Sequence, residues 1–204
     1  PEVCAEVKVR MGIDLVLVNP RVIGETNYPA LSLLCLAAYA RREGYSVAII
    51  DSQAETLSDQ EVSARVAEYD PILCGITFMT HQVEIVRRLV ARIKESTSNV
   101  KLVAGGIHVS ILPNESKTLG FDFCVVGEGE VTLVQLLSTL KSNHKVDNIE
   151  GLWTSDTSQF RPRKVIHNLD SLPVPAWDLV PVEKFTVGAA TTAATRSRRR
   201  AKRC

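Results

Sequence analysis

Four short clusters of residues close apolar runs in this chain, and their types decide what chemistry is available. Asn19 and Pro20 close the first run. Thr77, Met79 and Thr80 follow a second, Gly105, Gly106 and His108 a third, and Gly127, Glu128, Gly129 and Glu130 a fourth. Two successive glycines let backbone come within contact distance of a flat or bulky ligand, because no Cβ intervenes. Threonine hydroxyls can donate to polar groups on such a ligand. Gly127 and Gly129 open a helical pattern whose free N–H groups can bind a carbonyl or phosphate oxygen. On pattern alone, Gly105-Gly106 reads first as a tight turn between strand and helix, and close approach to a ligand comes second. Glu128 and Glu130 are two residues apart, so they do not share a helix face as an acid/base pair would. Their carboxylates suit the positive end of a helix.

Other chemistries lack their signatures. No GxGxxG follows the first strand pattern, no P-loop is present, and no Gly-x-Ser-x-Gly elbow occurs. The histidines (His81, His108, His144 and His167) have no HExxH-type spacing. Cys35, Cys74 and Cys124 sit inside apolar runs, Cys4 and Cys204 lie near the ends, and no pair is spaced CxxC. Buried cysteines acting as small hydrophobes in a reducing compartment are expected. No catalytic residue and no metal ligand is assigned.

The elements that must carry these clusters follow from periodicity. Ile13–Val18 is a short apolar run stopped by Asn19-Pro20, and reads as a buried strand. Pro29 suits the first position of a helix whose face is Leu31, Leu34, Cys35 and Ala38, with Gly44 after its end. Val47–Ile50 is the second strand. Ser58 and Glu61 form an S-x-x-E capping box for the next helix. Residues 72–77 form the third strand, and Val83, Val86, Leu89, Val90 and Ile93 mark a further helix. Residues 100–104 and 123–126 are the fourth and fifth strands. A short helix lies between Pro113 and Leu119, and Leu133, Leu136, Leu137 and Leu140 mark a final one. Continuously apolar strands alternating with helices specify a parallel sheet covered on both faces. The expected fold is α/β: a Rossmann-like, flavodoxin-like, doubly wound five-stranded parallel sheet over residues 12–143. Ligands of such sheets bind beyond the carboxyl ends of the strands, where all four clusters stand.

After residue 143 the texture changes. Leu152-Trp153 and Val165-Ile166 flank a polar stretch and predict a small β-hairpin. Leu172–Asp178 is proline-rich and predicts an extended connector, so residues 144–185 form a hairpin-and-connector segment. Residues 186–204 carry a basic run without apolar periodicity or interleaved aromatics, and predict a disordered tail rather than a nucleic-acid platform.

The 204 residues carry 24 Lys and Arg against 23 Asp and Glu, a formal charge of +1. That balance argues against a dedicated nucleic-acid binder. Hydrophobic residues make up 45%, enough for a core, yet no stretch approaches the roughly 20 apolar residues of a membrane span. A cytoplasmic location without membrane attachment is expected. The chain begins at Pro1, so a fragment is one reading, with Met11 a plausible natural start.

Taken together and in order, LVLVNP (15–20), residues 28–51, GITFMTHQV (75–83), VAGGIHVSILP (103–113), VVGEGEVTL (125–133) and LDSLPVPAWDLVP (169–181) resemble the N-terminal cobalamin-binding domain of the cobalamin-dependent radical S-adenosylmethionine enzymes. The resemblance spans about residues 12–185. It implies a corrin ring over the carboxyl ends of the strands and a nucleotide tail entering the sheet side near the loops after strands three and four. The contacts it implies are Asn19, Pro20, Pro29, Leu31, Thr77, Met79, Thr80, Gly105, Gly106, His108, Gly127, Glu128, Gly129 and Glu130.

Two departures qualify that implication. Better-known cobalamin domains carry DxHxxG after the first strand, with a histidine on cobalt. Here the loop reads Asn19-Pro20-Arg21-Val22-Ile23-Gly24. Cobalamin is therefore expected base-off, with no protein histidine beneath it, and His81 and His108 are expected to act as hydrogen bonders. The CxxxCxxC triad of the radical enzymes is absent as well, so no iron–sulfur cluster and no catalysis are expected from this chain alone. A radical S-adenosylmethionine barrel would be needed as partner, in cis or in trans. Two rivals remain open: a cobalamin-free Rossmann-like interaction module, and a flavodoxin-type flavin binder that would need a Ser/Thr-rich loop after strand one.

Overall fold

Leu15–Asn19, Val47–Asp51, Leu73–Thr77, Lys101–Gly105 and Phe123–Val125 are short and almost wholly apolar, so each must be covered on both faces. In the computed structural model these are strands β1 to β5, and they pair in parallel in the order β2-β1-β3-β4-β5. The structure describes residues 12–22, 28–97, 99–154 and 160–185. The predicted basic tail lies outside the described residues.

The helices between strands fall into two layers. On one face, α1 (Leu31–Arg42) packs beside α7 (Glu130–Lys141). On the other, α3 (Asp59–Tyr69) packs beside α4 (Val83–Ser96). Two hydrophobic cores result, one containing Leu17, Leu33, Val103 and Leu136, the other containing Val18, Val66, Leu89 and Leu102. The capping box is present: Ser58 Oγ accepts from the Glu61 amide, and the Glu61 carboxylate accepts from the Ser58 amide. Three further short helices complete the set: α2 (Ser52–Glu55), α5 (Ile107–Ile111) and α6 (Pro113–Thr118). Of these only α6 was legible in the pattern.

Several expectations need correcting. The sheet has six strands rather than five, because Leu152–Trp153 adds β6 antiparallel to β5. Among the described residues Leu152-Trp153 does not pair with Val165-Ile166 as predicted. The open edge of β5 offered Leu152 and Trp153 a ready ladder, whereas Val165 and Ile166 lie in irregular chain. That chain is fastened by side chains instead. Arg163 donates to Thr132 Oγ1 and to the Glu150 carbonyl, and Glu128 Oε2 accepts from the Ile166 amide at 2.6 Å. Helix α1 begins two residues later than predicted, at Leu31. Ala30 is its N-cap, so Pro29 stands just outside it. Its buried face is Leu33, Leu34, Ala37 and Ala38, which turns Leu31 outward at 51% exposure.

The proline-rich segment is irregular from Pro173 to Ala176, turns into a short 3-10 helix at Trp177–Leu179 rather than staying extended to Asp178, and is docked along α1. The Ala176 amide donates to the Leu34 carbonyl at 3.1 Å, and Arg41 pairs with Asp178 at 2.7 Å. Among the described residues no helix is long and apolar enough to cross a membrane.

Candidate functional site

The strand order reverses direction between β1 and β3, so their following loops leave toward opposite faces and open a crevice. Two cavities meet there. The inner one, about 200 Å³, is a slot between the sheet and the α1/α7 layer. Its apolar wall includes Leu17, Leu33, Leu36, Val103 and Leu133, and its rim carries Thr77, Gly105, Gly106 and Gly127 to Glu130. The outer one, about 500 Å³, is a cleft over the strand ends, lined by Asn19, Pro20, Pro29, Leu31, Thr77, Met79 and Gly106 among others. Ser32, Thr77 and Gly106 line both, so slot and cleft adjoin at these residues.

Glycines create the slot. Gly75 sits mid-strand in β3, where a Cβ would stand 2.9 Å from Leu17 Cδ2. At Gly105 and Gly127 a Cβ would meet nothing within 4 Å, so it would stand in open space. Gly106 is a glycine for a different reason. Its φ is +99°, and a Cβ would lie 2.8 Å from both the Phe78 carbonyl and Thr77 Oγ1. The loops after β3 and β4 are thereby pressed together, with the Phe78 amide donating to the Gly105 carbonyl.

The rim of the cleft is unusually apolar for a surface. Tyr28, Leu31, Met79 and Ile107 are 70, 51, 56 and 60% exposed. A contiguous patch of this kind marks a binding surface rather than scattered exposure. The loop after β1 is fixed from below. Asn19 Nδ2 donates to Asp51 Oδ1 at 3.0 Å, Ser52 Oγ donates to the Asn19 carbonyl at 2.5 Å, and the Val22 amide donates to Gln53 Oε1. Burial pushes the Asp51 carboxyl above its ordinary value, against hydrogen bonds from the Ala54 amide and Asn19.

Twelve of the fourteen sequence-predicted contacts therefore line one cavity or the other, and Thr80 and His108 line neither. His108 is fully buried in α5 beneath the β3 loop. Its ring packs against Phe78, and its Nδ1 lies 3.2 Å from Thr80 Oγ1. Glu128 lines the slot, but its carboxylate is engaged by the Ile166 amide. Sequence reasoning missed Ser32 and Gly75. A glycine inside a strand pattern is a signal of close approach, so Gly75 was findable. Among the described residues no group of three or more His, Cys, Asp or Glu could hold a metal ion.

The sequence model of the B12 binding domain family matches residues 24–137. This chain is a member of the B12 binding domain family. Among curated relatives, a protein of Pyrococcus horikoshii described as uncharacterized methyltransferase PH0819 is 34% identical over 170 residues, covering 81% of this chain and 37% of the relative. Anaerobic magnesium-protoporphyrin IX monomethyl ester cyclase of Synechocystis is 29% identical over 174 residues, covering 80% and 34%. The chain thus spans about a third of the length of these relatives. In fold it is similar to the radical S-adenosylmethionine methyltransferase TsrM of Kitasatospora setae, in a structure with cobalamin and an iron–sulfur cluster bound. The TM-score is 0.62 at 23% identity, covering 70% of this chain and 29% of TsrM.

Proposed function

We propose that this chain seats cobalamin in the adjoining cavities and presents it to a radical S-adenosylmethionine barrel, in cis or in trans. The observation that carries the reading is an apolar slot adjoining an open apolar cleft at Thr77 and Gly106. Cobalamin has a matching shape: a broad macrocycle and a tail ending in a flat aromatic base. The residues fit both parts. Gly75, Gly105 and Gly127 leave the slot free of side chains where the base would lie, and Leu17, Val103 and Leu133 give it apolar walls. Leu31, Met79 and Ile107 supply exposed apolar area for the macrocycle.

Bound cobalamin supplies cobalt-centred methyl transfer or redox chemistry. The chain's own part is to bind and orient it. Thr77 stands where the two cavities adjoin and offers a hydroxyl to the polar edge of the tail. Asn19 is held by Asp51 at the floor of the cleft, and Arg21 stands at the position where DxHxxG has its histidine. His108 is buried, with Nδ1 facing Thr80 and Nε2 3.6 Å from Glu115 Oε2, His81 lies in the turn Thr80–Gln82, and neither lines the cleft. These placements support a base-off cofactor without a protein histidine on cobalt. The relatives named as methyltransferases and cyclases support a partner barrel and leave the reaction to it.

The test is the visible spectrum of the protein after mixing with hydroxocobalamin and desalting. A retained corrin band of base-off form is expected. A folded protein that emerges colourless would overturn the reading in favour of a cobalamin-free interaction module.

A further inference from the structure

Helix α5 connects loops that the sheet alone would leave separate. Its Ser110 hydroxyl donates to the Gly106 carbonyl at 3.1 Å, and the same oxygen accepts from the Gly127 amide at 3.1 Å. A serine bonding back to the carbonyl four residues earlier is ordinary in helices. The second bond is not ordinary, because it reaches across seventeen residues to the loop after β5. One hydroxyl has one proton to give, and here both its donor and its acceptor roles are used. The two glycines it joins are both at positive φ, +99° and +81°, and both stand on the rim of the inner slot. Ser110 itself does not line either cavity.

We propose that Ser110 is a positioning residue for the cofactor. Its hydroxyl clamps the Gly106 loop to the Gly127 loop and fixes the width of the slot mouth. The proposal rests on the cobalamin reading above. His108, two residues earlier on the same helix, fastens the third loop through Thr80, so α5 reaches the loops after β3, β4 and β5. The Gly127 amide lies in exposed chain. On losing Ser110 Oγ it turns to water, and the fold is not left with a buried orphan donor. A clamp that can be cut without unfolding the protein is therefore testable.

The experiment compares wild type with Ser110→Ala and Ser110→Thr. In the protein without cofactor, thermal unfolding and hydrogen exchange at the Gly127 amide are measured. With hydroxocobalamin loaded, the rate of cobalamin release into excess unlabelled competitor is measured. Ser110→Ala is expected to keep the wild-type melting point, to exchange faster at Gly127, and to release cobalamin roughly two- to tenfold faster, the factor of one lost hydrogen bond. Ser110→Thr keeps a hydroxyl and is expected to restore both readouts. Unchanged exchange and release in Ser110→Ala would overturn the proposal while leaving cobalamin binding intact. A Ser110→Ala protein that fails to fold would also overturn it, by assigning the residue to the fold. A wild type that retains no cobalamin would overturn the cobalamin reading itself, and the clamp's assignment to that site with it.

Discussion

Replacing Gly105 by valine separates the site from the fold. Gly105 is the last residue of β4, paired with Thr77 across the ladder, and it is absent from the glycines at positive φ. Its added Cβ would meet nothing within 4 Å. Valine is at ease in a strand. Removing a glycine at a compatible position stabilises by about 0.4–1 kcal/mol, chiefly by restricting the unfolded chain. The cofactor-free variant should therefore melt at or above the wild-type temperature. The slot should behave oppositely. Gly105 stands on its rim, and forcing added methyl groups against a ligand that fills the space costs about 1–3 kcal/mol. That corresponds to roughly 5- to 150-fold weaker binding. Spectral titration with hydroxocobalamin beside a circular-dichroism melt reads both effects. A Gly105→Val protein that folds and binds like wild type would refute the reasoning, because the glycine would then be a turn residue beside an unused void.

Gly106→Ala should fail differently. With φ at +99° and a Cβ 2.8 Å from backbone, it should lose about 1–3 kcal/mol of stability in denaturant titration whether or not cobalamin is present. Asp14 predicts an acid limb. Burial alone would raise its carboxyl, but hydrogen bonds from Lys141 and from the Ser46 amide and hydroxyl hold it below the ordinary 3.8. Its contribution is present above that value and lost as pH falls through the lowered folded one. Asp14→Asn should cost roughly 0.5–1 kcal/mol at neutral pH and flatten the stability profile below 3.8, as read by melts across pH. Burial pushes the Cys74 thiol to about 12 and that of Cys124 to about 11. With Cys4, Cys35 and Cys204 changed to serine, neither should react promptly with a thiol reagent in the native protein near pH 8. Denaturant should expose both, and rapid native labelling would contradict the packing described.

The parallel sheet was legible because five short apolar runs alternate with helical periodicity, and Ser58 with Glu61 announced its helix by chemistry alone. The clusters at the strand ends were legible for the same reason: once the strands are placed, their carboxyl ends are known. What stayed hidden has physical causes. Strand β6 is two residues long, too short to show a period, and it exists because β5 had a free edge. Helix α5 is five residues long and follows a glycine pair that reads as a turn. Its burial of His108 took that side chain away from the site and gave it to Thr80. The hold of Asp51 on Asn19 depends on the ladder register that sets those two residues side by side, which no local pattern encodes.

The central claim is that the cofactor's tail lies between the sheet and the α1/α7 layer. The most direct measurement is a set of proton–proton Overhauser contacts between the aromatic base of bound cobalamin and assigned methyl groups. Contacts to Leu17, Val103 and Leu133, which wall the slot, are predicted. Bound pigment whose base contacts instead the α3/α4 face, or no methyl group of the slot, would contradict the account.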